Sequence, residues 1–225
     1  MFNFKKLSVL SLAILLAISC KDNSKSSADN TKTNEKNDAS NLKTKTIVFF
    51  GNSLTAGYGL EPSQAFPALI QKKIDSLDLG YKVVNAGVSG ETTSGGNGRI
   101  EWILQQPVDV FVLELGANDG LRGIPIAETR TNLQAIIDKV KAANPNVKIV
   151  LAGMQIPPNM GQQYTSQFRT IYPDLAEKNN VTLIPFVLES VGGEARLNQD
   201  DGIHPTEEGH KIVADNVWKV IKGLL

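Results

Sequence analysis

Five short apolar runs, separated by longer segments of helical character, fill residues 46–225 and limit the fold more than any other feature. They are Thr46–Phe50 (TIVFF), Tyr81–Asn85 (YKVVN), Asp109–Leu115 (DVFVLEL), Val147–Ala152 (VKIVLA) and Val181–Pro185 (VTLIP). Segments 63–77, 98–106, 125–143 and 164–178 between them read as helices, and 206–225 closes the chain as an amphipathic helix. Strands that read as continuous apolar runs and alternate with helices predict a parallel sheet covered on both faces. Right-handed crossovers then make a doubly wound, three-layer α/β/α fold the economical topology, flavodoxin-like around a five-stranded parallel sheet. Neither an internal repeat nor a second domain boundary interrupts this span.

The first 45 residues are of another kind. Lys5 and Lys6 precede an almost unbroken apolar run from Leu7 to Ile18. That run is shorter than the roughly 20 residues a membrane-spanning helix needs, but suits the core of a signal peptide over 1–19. It ends in Ala17-Ile18-Ser19-Cys20, which resembles the bacterial lipobox, and Cys20 is the only cysteine of the chain. The resemblance implies cleavage before Cys20 and a lipid on its thiol; an ordinary secretory signal with an incidental cysteine is the alternative. Either reading implies export. Residues 20–45 continue as a polar stretch with few apolar residues, which cannot bury enough surface to offset its chain entropy. This predicts a disordered tether, holding a domain over 46–225 off a membrane.

Composition removes several classes of function. Lys plus Arg and Asp plus Glu both number 23, a balance that predicts no nucleic-acid partner. A lone cysteine excludes an internal disulfide framework and a cysteine zinc cluster. Two histidines, His204 and His210, leave little choice for a base working near neutral pH.

In open α/β sheets the sites lie beyond the carboxyl ends of the strands. The loop after the first strand places Ser53 in Gly51-Asn52-Ser53-Leu54, where it could be an exposed nucleophile or an ordinary turn residue. Thr55 stands where a nucleophile elbow G-x-S-x-G needs its second glycine, which argues against the α/β-hydrolase pattern. The glycine-rich loop around Gly90 after the second strand could cradle an anion, though no P-loop or dinucleotide fingerprint occurs. Asn118 after the third strand offers a side-chain donor to a developing oxyanion, or simply an Asx turn. Before the last helix, Asp201 stands three residues ahead of His204, near enough to fix its tautomer. Thr206 with Glu207 and Glu208 reads as a helix start, so His204 belongs to the loop and His210 to the helix, where a structural or surface role is expected.

Together these four segments resemble the sequence blocks of the SGNH (GDSL) hydrolases, and SLTAGYGL, NAGVSGETT, LGANDGLRG and DGIHP extend the match. The branch resembled contains acyl-CoA thioesterase I, lysophospholipase L1 and arylesterases. The resemblance implies Ser53 as nucleophile, Ser53, Gly90 and Asn118 as oxyanion donors, and His204 with Asp201 as base and orienting carboxylate. It implies no metal and no organic cofactor. One position departs from the pattern: Asn52 replaces the usual aspartate of G-D-S-L, an exchange expected to modulate activity without abolishing it. The expected reaction is hydrolysis of a short- to medium-chain acyl ester through an acyl-serine, with thioesters, lysophospholipids and acylated glycans as substrate alternatives. A non-catalytic module binding glycan or lipid is the reading from another class; a flavin site would rest on fold analogy alone. Monomer and dimer are both compatible with a neutral domain of this size.

Overall fold

The computed structural model describes residues 44–225. The signal peptide predicted over 1–19, Cys20 and nearly all of the tether lie outside the described residues. The elements are β1 (Lys45–Gly51), α1 (Ser53–Ala56), α2 (Phe66–Ser76), β2 (Tyr81–Gly87), α3 (Thr93–Ile103) and β3 (Val110–Glu114). They continue with α4 (Ala117–Leu121), α5 (Ile126–Ala143), β4 (Lys148–Ala152), α6 (Gln162–Asn179), β5 (Thr182–Ile184) and α7 (Glu207–Ile221). All four strand pairings are parallel, in the order β2-β1-β3-β4-β5, as the five apolar runs predict. Helices α2 and α7 pack together, and α3, α5 and α6 form a second packed row. Strands β1 and β3 are buried along nearly their whole length, with Phe49, Phe50 and Phe111 among the largest wholly buried side chains.

Two helices are read imperfectly from sequence. Helix α3 begins at Thr93, five residues before the predicted start, through a run of Ser94-Gly95-Gly96-Asn97-Gly98 with poor intrinsic propensity. Thr92 caps it by accepting a hydrogen bond from the Gly95 N–H at 3.3 Å. Packing supplies the rest. A Cβ at Gly96 would come within 2.4 Å of Leu115 Cδ1, so the absent side chain is what lets this helix lie against the core. The helix predicted over 63–77 splits instead into a tight turn at Pro62–Gln64 and α2, with Pro67 in its first turn, where a missing N–H costs nothing.

Strand registers place Gly51 level with both Gly87 and Glu114. The ends of the three strands that carry the first three loops therefore lie side by side. The strand order reverses between β1 and β3, and that is where an open sheet leaves a crevice for a ligand.

Candidate active site

Ser53 opens α1 directly after β1, and only 8% of its surface is exposed. Asn52 caps that turn, its Oδ1 accepting from the Leu54 N–H at 2.9 Å and lying 3.4 Å from Ser53 Oγ. The short helix ends at Gly57, whose φ of 77° belongs to the left-handed region that favours glycine. A bare turn from sequence is thus a capped helical turn, and it fixes the direction in which the hydroxyl points.

His204 and Asp201 come from the far end of the chain. His204 Nε2 lies 2.9 Å from Ser53 Oγ, and Nδ1 lies 2.6 Å from Asp201 Oδ2. The other oxygen, Asp201 Oδ1, accepts from the Ile203 and His204 backbone N–H groups at 2.9 and 3.0 Å. Hydrogen bonds from the His204 backbone, the His204 ring and the Ile203 backbone hold the Asp201 carboxyl down at about 2. The carboxylate is therefore ionised and accepts only, so Nδ1 carries a proton, and in the neutral imidazole Nε2 is the nitrogen left to accept. The loop itself is tied down: Gln199 N–H donates to His204 O at 2.7 Å, and the Tyr58 ring packs 4.5 Å from the imidazole.

Gly90 and Asn118 approach from the neighbouring loops. Gly90 has φ of 79°, and Arg122 donates to its carbonyl at 3.0 Å, fixing the peptide plane. One N–H of the Asn118 amide donates to Glu91 O at 3.0 Å, which leaves the second directed by that bond. The Ser53 and Gly90 N–H groups donate to no acceptor among the described residues. Two backbone donors are thus left free on the loops after β1 and β2, and Asn118 lines the same cavity as Ser53.

Several supporting residues escape a reading by motif. Arg99 grips Glu91 in a two-pronged pair, at 2.6 and 2.5 Å, donates to Ala86 O at 2.7 Å and lies over the Phe50 ring. Buried Asp119 accepts from Thr93 N–H at 2.8 Å, joining the Asn118 segment to the start of α3. Glu114, the last residue of β3, is wholly buried beneath the Ser53 turn. A carboxylate near the end of the apolar run DVFVLEL is a signal the motifs alone pass over.

His210 sits apart from this constellation. It is buried in α7, its Nδ1 accepts from the Phe66 N–H at 3.1 Å, and its ring stacks on Phe66. Burial first, and then the nearby His204, push its pKa from 6.5 down to about 4. A folded-state value below the unfolded one stabilises the fold above about pH 6.5 and loses that contribution as pH falls through 4. Wild type should therefore lose about 3 kcal/mol more stability between pH 7 and 4 than His210→Gln does, read by denaturant unfolding at both pH values. An equal loss in the two proteins would refute the assignment.

A cavity of about 100 Å³ adjoins Ser53 and His204, lined on its apolar side by Leu54, Leu121, Met154, Ile156 and Leu188. Among the described residues, no cluster of three or more His, Cys, Asp or Glu side chains is placed to hold a metal ion.

Residues 49–212 match the model of the GDSL-like lipase/acylhydrolase family. Esterase TesA of Pseudomonas aeruginosa is 39% identical over 182 residues, covering 80% of this chain and 90% of that protein. The thioesterase 1/protease 1/lysophospholipase L1 of Escherichia coli K12 is 40% identical over 181 residues, covering 80% and 85%. A crystal structure of TesA aligns with a TM-score of 0.77 at 39% identity, over 80% of this chain and 100% of that one. The psychrotrophic esterase EstA from Pseudoalteromonas, in a structure inhibited by monoethylphosphonate, gives 0.76 at 34% identity over 80% and 98%. With the family model spanning most of the described residues and relatives of this identity covering four-fifths of it, the chain belongs to the GDSL-like lipase/acylhydrolase family of ester hydrolases.

Proposed function

We propose that this protein hydrolyses short- to medium-chain acyl esters through an acyl-enzyme on Ser53. The observation that carries the reading is the continuous line Asp201–His204–Ser53, at 2.6 and 2.9 Å. His204 Nε2 takes the Ser53 proton as Oγ bonds to the carbonyl carbon, and the carbonyl π electrons move to oxygen. The Ser53 and Gly90 N–H groups and the Asn118 amide receive that oxyanion. Collapse of the tetrahedral intermediate breaks the bond to the leaving oxygen, which takes the proton from His204. Water then repeats the sequence and releases the acid. The apolar lining beside Ser53 favours an acyl chain over the polar ring of a glycan as the part held there. The names of relatives (esterase, thioesterase, lysophospholipase) agree with an acyl donor of this kind.

A fluorophosphonate probe tests the assignment directly. Covalent labelling mapped to Ser53 is expected, and a folded protein that stays unlabelled would overturn it. Asn118→Ala should lower kcat by about 10²–10³-fold in a protein that still folds, because one oxyanion donor is lost together with the bond to Glu91 O. Rates with p-nitrophenyl esters of increasing chain length would show how much acyl chain the cavity accepts.

For the amino-terminal segment we propose export and lipid attachment at Cys20, supported by Cys20 lying at the end of the only signal-like run of the chain. Changing Cys20→Ala in the full-length protein should move it from the membrane fraction to the soluble one. Retention in the membrane fraction would count against the anchor.

A further inference from the structure

We infer that Glu114 is a positioning residue for this hydrolysis, holding Ser53 in its attacking position through Asn52 and Thr55; the inference rests on the reading of Ser53 as nucleophile. Glu114 ends β3 directly opposite Gly51, and its side chain lies 1% exposed under the turn that carries Ser53. Oε1 accepts from Asn52 Nδ2 at 2.9 Å. Oε2 accepts from Thr55 Oγ1 at 2.8 Å and from the Asn52 N–H at 3.3 Å. Three donors from one turn thus converge on one carboxylate, and Ser53 sits between the two residues that supply them. The approach is close: a Cβ on Gly51 would fall 2.6 Å from Glu114 Oε2 and 2.1 Å from Thr55 Oγ1, so glycine alone fits there.

The consequence is directional. With Nδ2 drawn to Glu114, the Asn52 amide must turn Oδ1 towards Leu54 N–H and Ser53 Oγ. Glu114 therefore decides which end of Asn52 meets the nucleophile. The contacts suit a carboxylate, whereas burial pulls the other way and pushes its pKa from 4.5 up to about 7. Tyr172 of α6 feels the Glu114 charge but does not bond to it, since its hydroxyl donates to Leu115 O, and Asp119 of α4 is engaged by Thr93.

Position 52 must therefore give a hydrogen to residue 114 and accept one from Leu54. Asparagine does both without a proton of its own to lose. An aspartate at 52 could do both only while the pair 52/114 shares one proton. A swapped pair, Asn52→Asp with Glu114→Gln, also satisfies every group. Its glutamine amide donates to the new carboxylate at position 52 and its glutamine oxygen accepts from Thr55, while that carboxylate still accepts from the Leu54 N–H.

The experiment compares Glu114→Gln, Asn52→Asp and the double variant by kcat and KM against pH on p-nitrophenyl butyrate, with unfolding curves for each. Glu114→Gln alone sets two amide N–H groups against each other and should lower kcat about 10²-fold at little change in KM, as a misplaced nucleophile does. The double variant should recover most of that loss. Asn52→Asp should gain a descending alkaline limb that wild type and the double variant lack. Wild-type kinetics in a folded Glu114→Gln, or a double variant no faster than Glu114→Gln, would overturn the inference. Should Glu114→Gln not fold, the alkaline limb decides: its absence from Asn52→Asp, or its persistence in the double variant, overturns it equally. Fluorophosphonate labelling keeps the two readings apart, since a labelled Ser53 with unaffected Glu114 variants refutes only the positioning role.

Discussion

Ser53→Ala and His204→Ala should each lower kcat by roughly 10⁴–10⁶-fold, while His210→Ala should leave it within a few-fold of wild type. The asymmetry follows from geometry. Ser53 Oγ is the only atom on the line to His204 Nε2 that can bond to an acyl carbon, and His204 is the only imidazole that reaches it. His210 instead accepts the Phe66 N–H through Nδ1, inside the packing between α2 and α7. Its loss leaves that N–H without an acceptor and should cost about 1–3 kcal/mol of stability, with no change in chemistry. Residual turnover in the first two variants reflects the oxyanion donors and substrate binding, which neither substitution touches. Burst kinetics with p-nitrophenyl butyrate check this: wild type and His210→Ala should release a pre-steady-state equivalent of nitrophenol, and Ser53→Ala none. A normal burst from folded Ser53→Ala would refute the nucleophile.

Much of this is legible in the chain itself. Apolar runs with little alternation specify strands buried on both faces, and such strands leave few topologies open. The site is legible because Ser53, Gly90 and Asn118 lie within a few residues of a strand end and His204 just ahead of the last helix, where local sequence and position coincide. What stays hidden depends on contacts between distant segments. Helix α3 starts at Thr93 because Gly96 fits under Leu115, a relation that helical propensity opposes. Helices α1 and α4 are about one turn long; Asn52 caps the first and Glu114 grips it, while Asp119 ties the second to the start of α3. Glu114 and Arg99 are ordinary residues in sequence; only the registers of β1 and β3 and the crossing of α3 bring them to the loops they hold. Asn52 shows the converse. Sequence marks it as a departure, and its meaning lies in the partner 62 residues away.

Asp201 gives the second large effect, and the reason is tautomeric more than electrostatic. More than a third of the Asp201 side chain is exposed, so solvent screens much of its attraction for a charged imidazole. Its geometry is nonetheless strict: the Ile203 and His204 N–H groups occupy Oδ1, so Oδ2 alone meets Nδ1. In Asp201→Asn the amide oxygen keeps the two backbone bonds, the loop keeps its shape, and an NH₂ group is turned towards Nδ1. The imidazole must then carry its proton on Nε2, where it faces Ser53 and can no longer accept. Turnover is expected to fall about 10⁴-fold with stability near wild type. Asp201→Ala leaves the tautomer free, so it should retain at least as much activity as Asp201→Asn despite removing more contacts. Because wild-type Asp201 stays ionised down to about pH 2, acidification to pH 5 cannot reproduce the variant's defect by protonating it. The check is kcat for both variants from pH 5 to 9, together with the ¹⁵N shifts of the His204 ring. A folded Asp201→Asn with wild-type turnover, or one whose Nδ1 remains protonated, would refute the role.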